Sequence, residues 1–147
     1  MKGRYSGGCQ CGRVRYVLDG EITRLNICHC RDCQTLHGAP MQWAAIFRKA
    51  DVRFNAGVQH LRFYHSAHDK RERLLPCKVS CGLCGAPIAD EGRNMWLAFP
   101  TLFDFGEPPD VPESFKPTCH IFYSMRVIDF DDSLPKWSGH KDKSPRL

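Results

Sequence analysis

The cysteines of this chain are concentrated in three short clusters, and these clusters constrain the fold more than any other feature. Seven of the nine cysteines lie in them. The clusters are Cys9-Gln10-Cys11, Cys28-His29-Cys30-Arg31-Asp32-Cys33 and Cys81-Gly82-Leu83-Cys84. Zinc binds soft ligands in a tetrahedron with Zn–S distances of about 2.3 Å, and spacings this short let several sulfurs reach one ion. We therefore expect a chain that folds around metal ions.

Metal binding is a better prediction for these cysteines than a set of disulfides. Nine is an odd number, so complete pairing would leave one thiol over. Residues 1–8 contain no apolar segment typical of a secretion signal. We expect a cytoplasmic location, with the nucleus as the alternative, where thiols stay reduced. Apolar stretches such as residues 43–47 are too short to cross a bilayer, and no membrane association is expected.

Length and composition predict one small domain. The chain has 147 residues, of which 42% are hydrophobic, which is enough for a single core. We expect this zinc-binding domain to occupy residues 1–137 and the polar, basic residues 138–147 to form a flexible tail. The net charge of +5 suits an anionic small molecule. Basic and aromatic residues do not alternate along a stripe, so nucleic-acid binding is not expected.

The hydrophobic pattern predicts mainly β-structure, with several short, curved sheets. Apolar residues recur with a period of two in many short runs, a spacing typical of strands. Strands are predicted around residues 14–18, 25–28, 41–47, 52–54, 61–64, 74–75, 78–81, 95–99 and 120–127. The best helical segment covers residues 31–37 and is ended by Gly38 and Pro40.

The first and third clusters together predict a structural zinc site. Side chains at i and i+2 of an extended strand point to one face, so Cys9 and Cys11 are expected to face the same ion. Cys81 and Cys84, followed by Gly85, form a zinc-knuckle pattern in which glycine permits a tight left-handed turn. Four thiolates would close the site and connect segments about 70 residues apart, so metal binding would stabilise the fold.

The second cluster predicts a different kind of site. Cys28 and Cys30 share a face, Cys33 returns to it after a turn, and His29 points to the opposite face. Three thiolates leave one position of a zinc ion for water or a substrate thiol, which is the arrangement of a catalytic site. The alternative is a second closed structural site, in which Cys77 or Cys119 supplies the fourth sulfur.

The order of these motifs resembles the glutathione-dependent formaldehyde-activating enzyme family, whose domain is shared with centromere protein V. The matching residues are Gly8-Cys9-Gln10-Cys11-Gly12, Arg15-Tyr16, Cys28-His29-Cys30 with Cys33-Gln34, Gly38-Ala39-Pro40, Cys81 and Cys84-Gly85, His120-Ile121-Phe122 and Leu134-Pro135. The resemblance implies an Mss4-like fold of coiled β-sheets and two zinc ions per chain. It places a structural zinc on Cys9, Cys11, Cys81 and Cys84. A second zinc, on Cys28, Cys30 and Cys33, would lie near the glutathione site.

The same resemblance implies a carbon–sulfur lyase activity, in which glutathione and formaldehyde form S-hydroxymethylglutathione. Glutathione or another small thiol, and a small aldehyde, would then be the partners. The thiolate would attack the aldehyde carbon, with His29, His37 or His120 as candidate proton donors and Arg31 as a candidate anchor for a carboxylate. The alternative function is a non-enzymatic interaction module, related to centromere protein V or Mss4-like proteins, in which both zinc ions are structural.

Overall fold

β-Strands form most of the regular structure in a computed structural model that describes residues 2–147. The elements of that range are β1 Lys2–Gly8, β2 Arg15–Glu21, β3 Arg24–Cys28, α1 Arg31–His37, β4 Gln42–Arg48, β5 Val52–Ala56, β6 Leu61–Tyr64, β7 Cys77–Cys81, β8 Pro87–Glu91, β9 Met95–Ala98 and β10 Cys119–Ile121. The prediction of a mainly β chain is confirmed, and the arrangement is consistent with the Mss4-like fold.

Two sheets share one hydrophobic core. A three-stranded sheet has the order β1-β2-β5, and a seven-stranded sheet has the order β10-β3-β4-β9-β8-β7-β6. All pairs are antiparallel except β10 with β3. Tyr16 and Leu18 of the small sheet belong to the same buried cluster as Phe47 and Val79 of the large one. Phe115, from the segment between β9 and β10, is also fully buried in this core.

The structure corrects three details of the predicted elements. Residues 74–75 are not in a strand. The strand expected over residues 120–127 is only Cys119–Ile121, because Phe122 adopts a left-handed conformation with φ of 53° and the chain then enters a 3₁₀ turn. Strands β1 and β8 were not predicted, because glycines in β1 and Pro87 in β8 weaken their β signal.

Helix α1 is short, and its position is set by capping at both ends. The Cys30 sulfur accepts a hydrogen bond from the Cys33 N–H at 3.3 Å, which caps the first turn. Gly38, with φ of 58°, ends the helix in the left-handed conformation that glycine adopts without strain. The predicted helix over residues 31–37 is confirmed, and its N-terminus follows the end of β3 directly.

The C-terminal residues 138–147 follow a defined course in the structure. Ser138 N–H donates to the Pro145 carbonyl at 2.9 Å, and Leu147 N–H donates to the Lys136 carbonyl at 2.7 Å. The flexibility expected for this tail stays a prediction about its behaviour in solution. Within residues 2–147, every helix falls short of the length and apolar content that a membrane span requires.

Candidate metal centres

Four cysteine sulfurs from distant parts of the chain converge at the first candidate metal centre. The Sγ atoms of Cys9, Cys11, Cys81 and Cys84 all lie within 4.8 Å of one another. The Cys9 and Cys11 sulfurs are 3.4 Å apart, and those of Cys11 and Cys81 are 3.9 Å apart. Sulfurs around one zinc ion are separated by about 3.8 Å, so this donor set fits a tetrahedral zinc.

Tight turns, rather than an extended strand, bring these sulfurs together. Residues 9–12 form a turn closed by a 3.1 Å hydrogen bond from Gly12 N–H to the Cys9 carbonyl, so the expectation of an extended Cys9–Cys11 segment is wrong. Gly85 has φ of 80°, which lets its N–H reach the Cys81 carbonyl at 2.9 Å. The Val14 N–H also donates to the Cys9 sulfur at 3.3 Å, a contact that stabilises a thiolate.

Three sulfurs form the second candidate centre, at the junction of β3 and α1. Cys28 ends the strand, Cys30 caps the helix and Cys33 lies in its first turn. Their Sγ atoms lie within 4.8 Å of one another. Hydrogen bonds from Cys28 and Cys33 lower the pKa of the Cys30 thiol, while the same contacts raise the pKa of Cys28 and Cys33. One thiolate is therefore stabilised by two thiols, and a bound cation would be needed to hold three thiolates this close.

The two isolated cysteines lie away from this second centre. Cys77 faces Glu91, with its sulfur 4.0 Å from a carboxylate oxygen. The Cys119 thiol donates to the Asn26 side-chain oxygen at 3.4 Å. Both are buried, and neither joins the three-sulfur group among the residues described. This geometry does not support Cys77 or Cys119 as a fourth ligand, and both pack as small buried side chains.

A cavity of about 170 Å³ adjoins the three sulfurs, on one face of the seven-stranded sheet. Its lining includes all three cysteines of the centre, together with Asn26, Gln42, Ala44, Lys78, Asp90, Leu97, Phe99, Ile121, Phe122 and His140. A second cavity, of about 180 Å³, shares Lys78, Asp90 and Phe99 with the first. We call these the inner and middle cavities. An outer cavity, of about 430 Å³, shares Tyr64 and Ser80 with the middle one and is also lined by Arg62 and Arg71.

His29 and His120 belong to a buried hydrogen-bond chain rather than to the cavity lining. His29 Nε2 lies 2.8 Å from His120 Nδ1, and His120 Nε2 lies 2.8 Å from an Asp132 oxygen. Because the carboxylate can only accept, His120 donates to it from Nε2 and accepts from His29 at Nδ1. His29 Nδ1 is then a bare acceptor, and it has no partner in the part of the chain described. This hydrogen-bond chain holds His29, and with it the short loop between Cys28 and Cys30, in place from the core side.

The His29 imidazole is expected to stay neutral until the pH falls far below the usual range for histidine. Burial and the neighbouring His120 lower the pKa of His29 to about 4. The unfolded chain takes up this proton first, near pH 6.5, so the folded state should lose stability as the pH falls from about 6.5 towards 4. An NMR titration of the His29 ring checks the midpoint, and a midpoint near the ordinary histidine value of about 6.5 would contradict the prediction.

The other sequence-derived candidates are divided between the cavities and the surface. His37 lines the middle cavity and packs edge-on against Phe99, with ring centres 4.8 Å apart. The Arg31 guanidinium donates to the Gln34 side chain and is not among the residues lining the three cavities. Sequence reasoning missed Lys78 and Asp90, which line the inner cavity beside the sulfurs. Only the pairing of β7 with β8 brings these two residues together.

Comparison with known proteins agrees with the fold and the cysteine clusters. A crystal structure of a Rhodobacter sphaeroides protein is similar to this chain, with a TM-score of 0.53 and 19% sequence identity, over 73% of this chain and 97% of the other. At that identity the likeness concerns the fold alone. No curated protein matches the sequence. The family model described as glutathione-dependent formaldehyde-activating enzyme matches residues 4–125, a range that contains both cysteine centres. The chain therefore belongs to the glutathione-dependent formaldehyde-activating enzyme family.

Proposed function

We propose that this protein is a zinc-dependent carbon–sulfur lyase that forms or breaks S-hydroxymethylglutathione or a related thiol adduct. The observation that carries the proposal is the three-sulfur group beside the inner cavity, to which the described residues add no fourth cysteine. Cys28, Cys30 and Cys33 would hold the catalytic zinc, while Cys9, Cys11, Cys81 and Cys84 would hold a structural one. A zinc ion with three protein sulfurs keeps a position for an external ligand.

The proposed chemistry needs little beyond a reactive thiolate and an enclosed site. When bound, zinc lowers the pKa of a substrate thiol so that it reacts as the thiolate at neutral pH. Leu97, Phe99 and Ile121 supply apolar walls to the inner cavity and would limit access of water to the reacting atoms. A lone pair on the thiolate sulfur forms the bond to the aldehyde carbon. The aldehyde oxygen is then protonated to a hydroxyl, so the adduct regains the proton that the thiol lost.

The residues that line the outer cavity favour a negatively charged thiol, such as glutathione, as the substrate. Glutathione carries two carboxylates. At the end of the cavity series away from the sulfurs, the outer cavity is lined by two guanidinium groups, those of Arg62 and Arg71, against one carboxylate, that of Asp69. Both arginines are exposed, so each contact would contribute modestly to binding. The formal charge of +5 acts in the same direction.

Arg62→Gln is expected to raise the KM for glutathione about three- to tenfold, with kcat nearly unchanged, because a lost carboxylate contact weakens binding without touching the reacting atoms. Steady-state rates with glutathione and with uncharged 2-mercaptoethanol check this, and the effect should be absent with the uncharged thiol. Arg53→Gln, an exposed substitution in β5 of the small sheet, is the control. An equal change with both thiols would argue against carboxylate recognition at Arg62.

The proposed function is tested by zinc stoichiometry and X-ray absorption at the zinc edge, with and without glutathione. We expect about two zinc ions per chain, one of them with three sulfurs and a lighter ligand that is exchanged for sulfur when glutathione is added. Adduct formation should also exceed the spontaneous rate, which is subtracted because thiols and formaldehyde combine unaided. Two zinc ions indifferent to glutathione, with no rate enhancement, would overturn the proposal.

An interaction module is the second candidate, and one surface feature favours it. Met125, Val127 and Ile128 are 47%, 60% and 53% exposed in a short segment that follows Phe122 of the cavity lining. Clustered exposed apolar side chains are typical of a protein-binding surface. In that case the segment, rather than the cavity, would carry the function, and substitution of these residues would leave thiol binding unchanged.

A further inference from the structure

Lys78 and Asp90 form an ion pair on the floor of the inner cavity. They lie directly opposite each other on β7 and β8, with the Lys78 Nζ 3.0 Å from an Asp90 oxygen. Their side chains are only 25% and 18% exposed. Both residues line the inner cavity together with the three sulfurs, and both also line the middle cavity. The pair therefore stands where the substrate of the proposed reaction would lie.

Stability alone gives little reason for an ion pair at this place. Removing two charges from water costs about as much as their mutual attraction returns, and apolar residues of similar volume often serve a core equally well. Burial by itself would lower the pKa of Lys78 and raises that of Asp90, but the Asp90 carboxylate 3.0 Å away favours the charged form of Lys78 and outweighs the effect of burial there. Asp90 thus keeps a permanent ammonium group beside the sulfurs.

The other candidate donors are less well placed for the aldehyde. His29 and His120 are held in the buried chain to Asp132, and His37 lines the middle cavity. Among the residues lining the inner cavity, His140 is a further ring donor, whereas Lys78 is the permanent cation. A fixed positive charge is the group best suited to a developing alkoxide, because it needs no reorganisation during the reaction.

We propose that the Lys78 ammonium stabilises the aldehyde oxygen as it becomes an alkoxide, and that Asp90 positions Lys78 for this role. The inference rests on the proposed carbon–sulfur lyase function. The sulfur lone pair forms the C–S bond while the carbonyl π pair moves to oxygen, next to Lys78. The alkoxide takes a proton from water, and the hydroxide left behind neutralises the proton that the thiol released. Thiol and aldehyde thus combine without any net oxidation or reduction.

The first test is Lys78→Met, which removes the charge and keeps an unbranched side chain. Loss of one donor to an oxyanion costs about 10²–10³ in kcat, so we expect a fall of about 100-fold, with the KM for the thiol and the zinc content unchanged. Lys78→Arg should restore part of the rate. An unchanged kcat would overturn the inference, since Lys78 would then have no role in the chemical step. A rise in KM alone would also overturn it, since Lys78 would then only bind the thiol.

Lys49, which directly follows β4, offers a matched control, because it pairs with the residue next to Asp90 on β8. Lys49 is also 25% exposed and is paired at 2.6 Å with Glu91, the neighbour of Asp90, but it does not line the inner cavity. Lys49→Met should therefore leave the rate within about twofold of the wild type. Should Lys78→Met fail to fold because Asp90 is left unpaired, the double variant Lys78→Met with Asp90→Asn removes both charges and should show the same loss of kcat.

A binding measurement separates failure of this inference from failure of the proposed function. Calorimetry compares the affinity for S-methylglutathione with that for glutathione saturated with formaldehyde, whose adduct carries the hydroxyl. The wild type should prefer the hydroxylated ligand, and Lys78→Met should lose that preference. If the wild type shows the preference without any rate enhancement, the lyase function fails while the Lys78 contact stands. If neither the rate nor the preference depends on Lys78, the inference is wrong.

Discussion

Replacement of Cys84 by serine is expected to destabilise the whole domain and to abolish binding of the structural zinc. Cys84 belongs to the four-sulfur centre that joins the turn after β1 to the turn after β7. A structural zinc in a small protein binds with an apparent free energy of about 10–16 kcal/mol. That is as large as the total stability of a typical domain, about 5–15 kcal/mol. A serine hydroxyl is a poor substitute for a thiolate, so most of this contribution should be lost.

The measurement is urea unfolding at fixed zinc concentration, together with zinc content. Leu83→Ser is the matched control, because Leu83 lies between the two cysteines of the same turn and is 53% exposed. We expect Leu83→Ser to unfold within about 0.5 kcal/mol of the wild type, as is usual for surface substitutions. A chelator should reproduce the effect of Cys84→Ser in the wild type. Retention of a wild-type unfolding midpoint by Cys84→Ser would show that the four sulfurs do not stabilise the fold.

Replacement of Cys30 by serine is expected to reduce adduct formation to the spontaneous rate while leaving the domain folded. Cys30 contributes one of three sulfurs at the edge of the inner cavity, and two sulfurs would hold zinc too weakly for stable occupancy. The cost to stability should be modest, since a serine oxygen at this position can still cap α1, the role that the Cys30 sulfur now has. Zinc content should fall from about two to about one per chain.

The control for this variant is Cys119→Ser, the same substitution at a buried cysteine that bonds Asn26 instead of joining a cluster. It should keep both zinc ions and most of the activity. Circular dichroism and urea unfolding verify that Cys30→Ser is folded. Equal unfolding by Cys30→Ser and Cys84→Ser would contradict the division between a catalytic and a structural centre.

Local patterns accounted for much of what the structure contains. Short cysteine spacings predicted the three local clusters, because chain connectivity alone keeps residues two or three apart within reach of one ion. The meeting of the first and third clusters, about 70 residues apart, was expected from the number of sulfurs that each supplies, but it depends on tertiary contacts. The helix over residues 31–37 was predictable for a similar reason, since its end at Gly38 is a local feature. Strand β10 was predicted too long, because the left-handed turn at Phe122 leaves no clear signal in an apolar run.

Contacts between residues far apart in the sequence could not be predicted from such local patterns. The ion pair of Lys78 with Asp90 depends on the register of β7 against β8, and a shift of β7 by one residue would move Lys78 to the face opposite Asp90. The hydrogen bond of His29 with His120 joins residues 91 positions apart through the parallel pairing of β10 with β3. In both pairs, the sequence around one residue does not indicate which distant residue it will contact.

The sequence by itself determined the mainly β character, the three local cysteine clusters and the family, because each depends on residue types at short, definite spacings. The tertiary structure alone decided that Cys77 and Cys119 stay apart from the three-sulfur centre and that this centre faces a cavity. It also decided which charged groups line that cavity. Those outcomes depend on strand register and on how the seven-stranded sheet packs against α1, and both are set by burial of the whole core rather than by any single segment.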